Sequence, residues 1–446
     1  MTVTYGITIM GSIAQTVAAL LPASQVISFE ELDGRWQRQV RRAIVPDQRP
    51  ECVVFPQNLE QLTEVVACAH TNRWRLLPCG QGSKLDWGAL TNGIDLVIST
   101  RELNQIIEHA VGDLTVTAQS GVTFDRIQRL LSKTRQFLAL DPAFTELATL
   151  GGIIATRNTN ALRQRYGGIR DQLIGVTFVR YDGQLAKAGG RVVKNVAGYD
   201  LMKLMSGSFG TLGILTELTL RTFPQQEASQ TIVLQGSAQT IQQITAAVLL
   251  SSLTPVRLDV LSRSHLPQPQ QDIGLALQFQ SIAAGVAEQI ERLQAMTHPY
   301  ELTWQALTDD ADSQFWQALD RRMFDDSQAD TAIAQMGILP AQAIDLFEHL
   351  RTSLTAETWQ ARLHASSGMG TLKLDPERTS LQQLTSVRQY CQSAKGYLNL
   401  LRAPQDWKDQ FSSWQLNRPT QMLMSRLRQQ FDPHQLLSPG RMDAAS

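Results

Sequence analysis

The feature of this sequence that most constrains its fold is a glycine-rich run that ends in an alternating apolar pattern. Residues 194–220, KNVAGYDLMKLMSGSFGTLGILTELTL, contain four glycines among apolar residues. Glycine permits backbone angles and close approaches that a side chain prevents. Two other glycine segments precede this run, GQGSKLDWG at residues 80–88 and ATLGGIIATRNTN at residues 148–160. We therefore expect three stretches of bare main chain to approach one extended ligand.

Length and charge limit the class of protein. A chain of 446 residues is too long for one ordinary core and is expected to form two to four domains. Its 40 Lys and Arg residues nearly balance 41 Asp and Glu residues, which gives a net charge of −1. Such a balance carries no electrostatic signature of binding to nucleic acid or anionic lipid. A small ligand is the expected partner.

Cysteine usage and hydropathy favour a reducing, aqueous compartment. Four cysteines form no CxxC pair, which argues against a disulfide framework and against a thiolate zinc site. The apolar stretch ITIMGSIAQTVAALLPASQ lacks a preceding basic residue and is interrupted by polar residues, so we interpret it as a helix or ordered arm and not as a signal peptide. No run reaches the roughly 18 apolar residues of a spanning helix. We expect a soluble cytoplasmic protein.

Strand and helix patterns alternate through the first half of the chain. Residues 51–70 predict a strand, a turn and a helix that Asn58 can cap. Further on, Leu114, Val116 and Ala118 alternate as one face of a strand, and Asp182-Gly183 predicts a hairpin turn. Residues 141–170 carry many small and turn-forming residues, which we interpret as a binding surface and not as core.

The pattern changes after residue 224. The β-α-β-β-α order that follows predicts an antiparallel sheet with helices on one face, as in ferredoxin-like units, and a weaker echo of it occurs further along. We predict an α+β protein with the following organisation: an N-terminal helical arm at 1–50, a first domain at 51–224, a second at 225–400, and a C-terminal segment at 401–446 that returns to the first domain.

The first glycine loop follows a predicted strand, so its N–H groups could converge on an anion such as pyrophosphate. It is neither a Walker loop nor GxGxxG, since Leu85 stands where the third glycine of the latter belongs. Taken alone, this loop is better explained as an ordinary tight turn. A flat aromatic cofactor lying against the main chain explains all three segments together, and a flavin dinucleotide has that shape.

Several motifs, in this order and at these spacings, resemble those of the vanillyl-alcohol-oxidase-type (PCMH-type) FAD enzymes and, more narrowly, the E-type FAD-binding subunits of bacterial glycolate oxidase. They are PCGQGSKLDWG, ATLGGIIAT, RQRYGGIRDQLIGV, GGRVVKNVAGYDLMKLMSGSFGTLGILTELTL and FDPHQLLSPGRM. The resemblance covers about residues 51–224 and the C-terminus. It implies a PCMH-type FAD-binding domain of two α+β lobes, a cap domain, and catalytic flavoprotein and iron–sulfur subunits as partners.

The same resemblance implies which residues bind FAD. Gly80, Gln81, Gly82 and Ser83 would bind the pyrophosphate, Gly151 and Gly152 would lie along the flavin, and Gly207, Thr211, Gly213 and Ile214 would contact or support the adenosine half. Lys194, Asn195 and Tyr199 would support the cofactor, face a partner, or serve only as loop scaffolding. No histidine lies in the pyrophosphate loop and Cys79 has a packing role as its simpler explanation, so we expect non-covalent FAD.

Candidates for catalysis are fewer. Catalytic relatives show a histidine followed by a Gly-Asp-Gly-Asn-x-His run that binds metal, and the corresponding segment here is LHASSGMGTLKL. It keeps His364 and two glycines but lacks the acid, the Asn and the second His, so we predict no metal site. Two other motifs also depart from the catalytic subunits, with Phe209 and Ser438 in place of their usual Glu and Asn.

Arginines in the region of residues 157–170 are candidates for binding a carboxylate or phosphate, with a solvated loop face as the alternative. They are Arg157, Arg163, Arg165 and Arg170. His364 and Arg170 are thus the catalytic candidates. The leading hypothesis is an FAD subunit of a glycolate or D-lactate dehydrogenase complex. The alternatives are a non-catalytic assembly subunit and an independent hydroxy-acid or alcohol oxidase.

Overall fold

The computed structural model describes residues 12–190, 199–324 and 331–443. Lys194 and Asn195, which the sequence singled out, lie outside this range. The described residues form two small sheet-based lobes, a larger domain built on one sheet, and a C-terminal segment. The predicted α+β class is confirmed.

The first lobe holds a four-stranded sheet flanked by helices. Its strands are β1 (Val26–Ser28), β2 (Cys52–Val54), β3 (Leu76–Cys79) and β4 (Leu96–Ser99), and its helices are α1 (Ser12–Ala18), α2 (Gly34–Ala43) and α3 (Leu59–Asn72). The strand order is β1-β2-β4-β3, in which β2 and β3 run parallel to β4. As predicted, Asn58 caps α3, and its side chain accepts the Gln61 N–H at 2.9 Å.

The segment predicted as a helical arm contributes more than helices to this lobe. Within it, β1 pairs antiparallel with β2, so that Val26 lies opposite Val54. The first sheet therefore extends across the predicted boundary at residue 50.

The second lobe holds a five-stranded antiparallel sheet and a two-stranded ribbon. Its strands are β5 (Ile106–Ala110), β6 (Thr115–Gln119), β7 (Gln136–Phe137), β8 (Leu173–Val179), β9 (Leu185–Gly189), β10 (Ile214–Arg221) and β11 (Phe223–Pro224). Its helices are α4 (Phe124–Ser132), α5 (Leu150–Thr156), α6 (Arg163–Tyr166), α7 (Ile169–Gln172) and α8 (Leu201–Met205). The order of the larger sheet is β5-β6-β10-β8-β9, and β7 pairs with β11.

In this lobe the predicted hairpin turn is confirmed, whereas the predicted start of one strand is wrong. The hairpin between β8 and β9 turns at Gly183, whose φ of +83° suits glycine. Val116 and Ala118 are buried in β6, but Leu114 is 39% exposed with a φ of +53° and precedes the strand. The prediction that Leu114 shares their face is wrong because the chain turns there.

Residues 141–170 were predicted to form a binding surface and not core, and the second half of that prediction is wrong. Helix α5 crosses this region, and its Ile153 and Ile154 are fully buried in the core of the second lobe. The small residues of the segment, among them Gly151 and Gly152 of the same helix, led to the wrong prediction that it contributes nothing to the core. One short helix thus supplies both core side chains and a bare glycine surface.

The remaining large sheet has eight antiparallel strands. They are β12 (Ala228–Gln235), β13 (Arg257–Ser262), β14 (Ile273–Ser281), β15 (Thr303–Thr308), β16 (Ala332–Gly337), β17 (Trp359–His364), β18 (Met369–Leu374) and β19 (Tyr397–Arg402). The accompanying helices are α9 (Ala238–Leu250), α10 (Ala283–Thr297), α11 (Asp309–Phe324), α12 (Ala343–Ser353) and α13 (Leu381–Ser393).

This sheet consists of two ferredoxin-like units side by side. The strand order β15-β12-β14-β13 is followed by β17-β18-β16-β19, and each half has the β-α-β-β-α-β connectivity that the sequence pattern indicated. The halves meet where β13 pairs with β17, which places Asp259 opposite His364.

The C-terminal segment packs against the first lobe. It contains α14 (Gln405–Gln410) and α15 (Arg418–Phe431). After α15 the chain runs beside β3, where Leu76 donates to the Leu436 carbonyl at 2.6 Å and accepts the Ser438 N–H at 2.8 Å. None of the helices in the described ranges is long and apolar enough to span a membrane.

A buried ion pair ties the first glycine loop to the last strand of the large sheet. Asp86 and Arg402 approach to 2.8 Å, and both side chains are more than 90% buried. Lys408 donates to the Gly88 carbonyl at 2.9 Å. Burial opposes ionisation of Asp86, but Arg402 and Lys408 outweigh it and hold the pKa of this carboxyl below its usual value.

Replacing Asp86 by Ala should therefore destabilise the junction strongly. The change leaves the Arg402 and Lys408 charges buried without their carboxylate, which costs about 3 kcal/mol or more of unfolding free energy. Urea unfolding followed by circular dichroism measures it. Asp125→Ala, which breaks the exposed Asp125–Arg129 pair, should cost less than about 1 kcal/mol. Equal losses of unfolding free energy in the two variants would contradict a stabilising role for the buried Asp86–Arg402 pair.

Candidate functional site

A narrow cavity of about 90 Å³ is lined by residues of all three glycine segments. They reach it from the loop after β3, from α5 and from the turn before β10. Eight of the ten residues predicted to contact the cofactor line this cavity: Gly80, Gln81, Gly82, Ser83, Gly151, Gly152, Gly213 and Ile214. The structure therefore brings together segments that are far apart in the sequence.

Glycine is needed here first by the protein itself. A Cβ atom added to Gly80 would lie 2.1 Å from Oγ1 of Thr149, and one added to Gly151 would lie 2.8 Å from Cβ of Ser120. Both distances are shorter than any tolerated contact, so side chains at these positions would push the glycine loop, α5 and the end of β6 apart. Gly82 adds a second constraint, since its φ of +77° is strained for other residues.

Two predicted contacts lie elsewhere. Gly207 lines the neighbouring second cavity. Thr211 is buried, and its hydroxyl donates to the Ser208 carbonyl at 2.7 Å, which stabilises the turn before β10. Thr211 is not among the residues that line either cavity.

The second cavity is larger, at about 390 Å³, and lies between the lobes and the large sheet. Three residues, Trp87, Thr156 and Phe209, line both cavities and so mark where they adjoin. From the lobes this cavity receives Arg157 and Arg163. From the large sheet and the segment after it come the polar residues Gln335, His364, Thr371, Tyr397, Asn399 and Gln415.

The two arginines are presented by an ordered turn. Arg157 ends α5 in a left-handed conformation with a φ of +51°. The next residues are fixed by Asp141, whose carboxylate accepts the N–H groups of Asn160 at 2.6 Å and Leu162 at 2.9 Å. Burial and the nearby Arg157 charge lower the pKa of Arg163. An anion beside these two cations would relieve their repulsion.

The other two predicted arginines are placed differently. Arg165 is exposed and borders a separate cavity near Phe223. Arg170 is exposed on α7 and does not line either of the two adjoining cavities. The structure thus separates Arg170 from His364, although the sequence proposed both for catalysis.

His364 lies at the end of β17 and is held by a buried carboxylate. Its Nδ1 atom is 2.7 Å from Oδ1 of Asp259, while Oδ2 of Asp259 accepts from Nε of Arg362 at 3.0 Å. Burial raises the pKa of Asp259, but His364 and Arg362 outweigh it and lower that pKa to about 2. An ionised Asp259 can only accept, so Nδ1 of His364 donates, and in a neutral imidazole Nε2 is then the acceptor.

Sequence reasoning missed several residues of this site. Lys84, Trp87 and Arg441 line the first cavity and stand within the motifs that were quoted, so their positions next to the glycines were the available signal. Asp259 gave no such signal, because strand pairing across more than a hundred residues brings it to His364.

Thiol and metal chemistry receive no support in the described part of the chain. Burial raises the pKa of Cys79 to about 12, which disfavours its thiolate. No group of three or more His, Cys, Asp or Glu side chains that could hold a metal occurs among residues 12–190, 199–324 and 331–443. Tyr199, proposed as a cofactor support or a partner contact, is 91% exposed.

Family comparison identifies the first part of the chain. Residues 50–189 match the FAD binding domain family. These residues form an FAD-binding domain. The match contains the first two glycine segments, and its end coincides with that of β9.

Curated relatives are named as oxidases and dehydrogenases of hydroxy acids. The chain is 34% identical over 224 residues to glycolate oxidase subunit GlcD of Bacillus subtilis, which covers 49% of this chain and 46% of the relative. It is 30% identical over 237 residues to D-lactate dehydrogenase of Anaerostipes hadrus, covering 52% and 49%. It is 32% identical over 190 residues to glycolate oxidase subunit GlcE of Escherichia coli, covering 42% and 53%. The matches thus span about half the length of these relatives.

Solved structures extend the likeness to the whole fold. p-Cresol methylhydroxylase with bound substrate superposes with a TM-score of 0.73 at 14% identity and 96% coverage of both chains. Alkyldihydroxyacetonephosphate synthase gives a TM-score of 0.69 at 15% identity, covering 96% of this chain and 84% of the other. The predicted PCMH-type architecture is confirmed.

Blocking the narrow cavity at Gly152 should weaken FAD binding without unfolding the protein. A Cβ atom at this helical position meets only Oγ1 of Thr149, at 3.2 Å, so Gly152→Leu keeps α5 and fills the cavity. Overpacking of about 1–3 kcal/mol corresponds to an affinity loss of roughly 5- to 150-fold. Fluorescence titration with FAD measures it.

The matched control is Gly112→Leu, where an added Cβ atom meets nothing within 4 Å. This variant should bind FAD as the unmodified chain does. If Gly152→Leu folds and retains full FAD affinity, the cavity is not where FAD binds.

Proposed function

We propose that this chain is an FAD-dependent oxidoreductase subunit that acts on the CH–OH group of a small 2-hydroxy acid such as glycolate or D-lactate, and that it holds FAD non-covalently. The observation that carries the proposal is the meeting of two cavities at Trp87, Thr156 and Phe209. One is bordered by bare main chain, and the other by arginines and a histidine. Such a pair suits a flat cofactor beside an anionic substrate.

The charges of the residues that line the narrow cavity are suited to FAD. The described residues that line it include two cations, Lys84 and Arg441, and no carboxylate, which suits a pyrophosphate. Gly80, Gln81, Gly82 and Ser83 would hold that group, Gly151 and Gly152 would lie along the flavin, and Gly213 and Ile214 would contact the adenosine half. Sites for ligands of this size usually enclose about 300–1,000 Å³, so this cavity would hold only part of the cofactor.

Substrate binding would fall to the arginines of the second cavity. Arg157 and Arg163 both line it, and a bound carboxylate would relieve the repulsion that lowers the pKa of Arg163. A guanidinium can bind a carboxylate through two parallel hydrogen bonds, which would fix the orientation of the acid. Gly207 would leave room beside Arg157.

His364 would receive the hydroxyl proton. Bound FAD would supply the two-electron acceptor for the C–H bond of the hydroxyl carbon. As that bond breaks and the 2-oxo acid forms, the hydroxyl proton passes to Nε2 of His364. Asp259 keeps Nδ1 as the donor and stabilises the resulting imidazolium, while Arg362 fixes Asp259 from its other side.

Partners and location follow from the relatives' names as proposals. Two relatives are subunits of glycolate oxidase, which supports a complex of several subunits. We propose a catalytic flavoprotein and an iron–sulfur subunit as the partners, as the motif resemblance implies. The complex would be cytoplasmic or peripheral to the membrane. A second candidate, an assembly subunit that keeps the FAD fold without turnover, is favoured by the residues that the LHASSGMGTLKL segment lacks. An independent D-lactate or alcohol oxidase is the third.

Replacing His364 by Gln should slow flavin reduction without releasing FAD. Loss of a positioned base lowers such rates by about 10²- to 10⁴-fold. Anaerobic stopped-flow reduction of the flavin by glycolate or D-lactate measures the rate, and the visible spectrum gives FAD content. His298→Gln changes an exposed histidine and serves as the matched control.

The outcomes separate the proposed chemistry from the assembly role and test the part played by His364. Reduction of the isolated chain by a hydroxy acid, slowed in His364→Gln alone, supports the proposed chemistry. Bound FAD that neither acid reduces, even with the partner subunits present, points to the assembly role. Reduction at the same rate in both variants would remove His364 from the mechanism.

A further inference from the structure

A lysine of the narrow cavity is buried without a hydrogen bond to its ammonium group among the described residues. Lys84 lines the cavity and is 7% exposed. Its Nζ atom has no hydrogen-bond partner among the described residues. The centroid of the Trp87 ring lies 5.9 Å from this Nζ atom.

An unpaired buried ammonium is expensive to keep. Removing a charge from water without a partner costs several kcal/mol, so such groups are normally paired or bind a ligand. The chain offers a comparison in Lys408, which is equally buried at 7% exposed. Lys408 donates to the carbonyl oxygens of Asp86 and Gly88, whereas Lys84 makes no corresponding bond.

The surroundings of Lys84 lack a counter-charge. Arg441, the second cation of the cavity, is itself buried and donates to the Trp87 carbonyl at 2.8 Å. The nearest carboxylate in the loop, Asp86, is occupied by Arg402 at 2.8 Å. Cys79 keeps its proton, because burial raises its pKa to about 12. The described residues that line the cavity therefore present positive charge and no negative charge.

Resting on the proposed function, we infer that Lys84 is the charge partner of the FAD pyrophosphate, and that the fold keeps its ammonium unpaired for this anion. The residue follows Gly80, Gln81, Gly82 and Ser83 directly in the chain. Lys84 is thus a cofactor-binding residue that lowers the stability of the flavin-free protein and raises its affinity for FAD.

Proton linkage gives this role a signature. Burial lowers the pKa of Lys84 to about 7 in the free protein, whereas a bound anion favours the charged form. FAD binding should therefore take up a proton, and affinity should fall as the pH rises above about 7. Lys408 and Arg441 also have pKa values lowered by burial, to about 7 and about 10, so the comparison with a Lys84 variant isolates the contribution of Lys84.

The test compares Lys84→Met with the unmodified full-length chain, both prepared free of flavin. Dissociation constants are measured for FAD, ADP and riboflavin, because ADP carries the pyrophosphate and riboflavin carries only the ring system. We expect Lys84→Met to weaken FAD and ADP by the same factor, about 10- to 100-fold, with riboflavin changed less than about 2-fold. The fall in FAD affinity between pH 7 and pH 9 should be smaller in the variant.

Stability gives the second readout. Without flavin, Lys84→Met should melt at a higher temperature than the unmodified chain, because an unpaired buried charge is gone. The advantage should be larger at pH 6 than at pH 9, since Lys84 in the folded chain is charged only below about pH 7. Lys187→Met removes an exposed charge and should change neither affinity nor melting.

Three results overturn the inference. FAD and ADP affinities within about 2-fold of the unmodified chain would remove Lys84 from the binding site. Weakened FAD and riboflavin with unchanged ADP would place Lys84 beside the isoalloxazine instead. A lower melting temperature of the flavin-free variant would make Lys84 a structural residue. Failure of the proposed function is distinguishable, because in that case the unmodified chain itself binds no FAD.

Discussion

The structure depends on how closely three main-chain segments approach one another. The loop after β3 touches the start of α5 at Gly80 and Thr149, and α5 touches the end of β6 at Gly151 and Ser120. A side chain at Gly80 would push the two lobes apart, and one at Gly151 would push α5 away from the end of β6 within the second lobe. The cavity forms because glycines without side chains let these segments pack closely, and the same missing side chains leave main chain accessible to a ligand. Packing and ligand binding therefore both require glycine at these positions.

The junction with the large sheet depends on charge. Asp86 lies in the first glycine loop and pairs with Arg402 at the end of β19. The loop that would hold the cofactor is thereby fixed to the sheet that carries His364 and Tyr397. The Asp86–Arg402 ion pair thus helps to hold the narrow cavity and the second cavity against each other at Trp87. Without this pair, the two cavities could each persist but no longer adjoin.

Sequence alone could predict much of this. The cap at Asn58, the hairpin at Gly183 and the repeated β-α-β-β-α order were readable because each depends on neighbouring residues. Leu114 was misjudged because the chain turns just before β6, and the buried face of α5 was misjudged because tertiary packing decides it. Glycine loops were recognisable as a set, but the positions of Gly207 and Thr211 around the cavities were not. The Asp259–His364 pair could not be predicted from the sequence, since it arises from the pairing of β13 with β17.

The central claim is that one FAD molecule extends from the Gly80–Ser83 loop to the boundary at Trp87. An experimental structure of the full chain with FAD tests it most directly. The account predicts density for the pyrophosphate against residues 80–83 and for the ring system beside Trp87, facing Arg157 and His364. Flavin bound elsewhere on the molecule, or an FAD-saturated crystal in which both cavities hold only water, would contradict it.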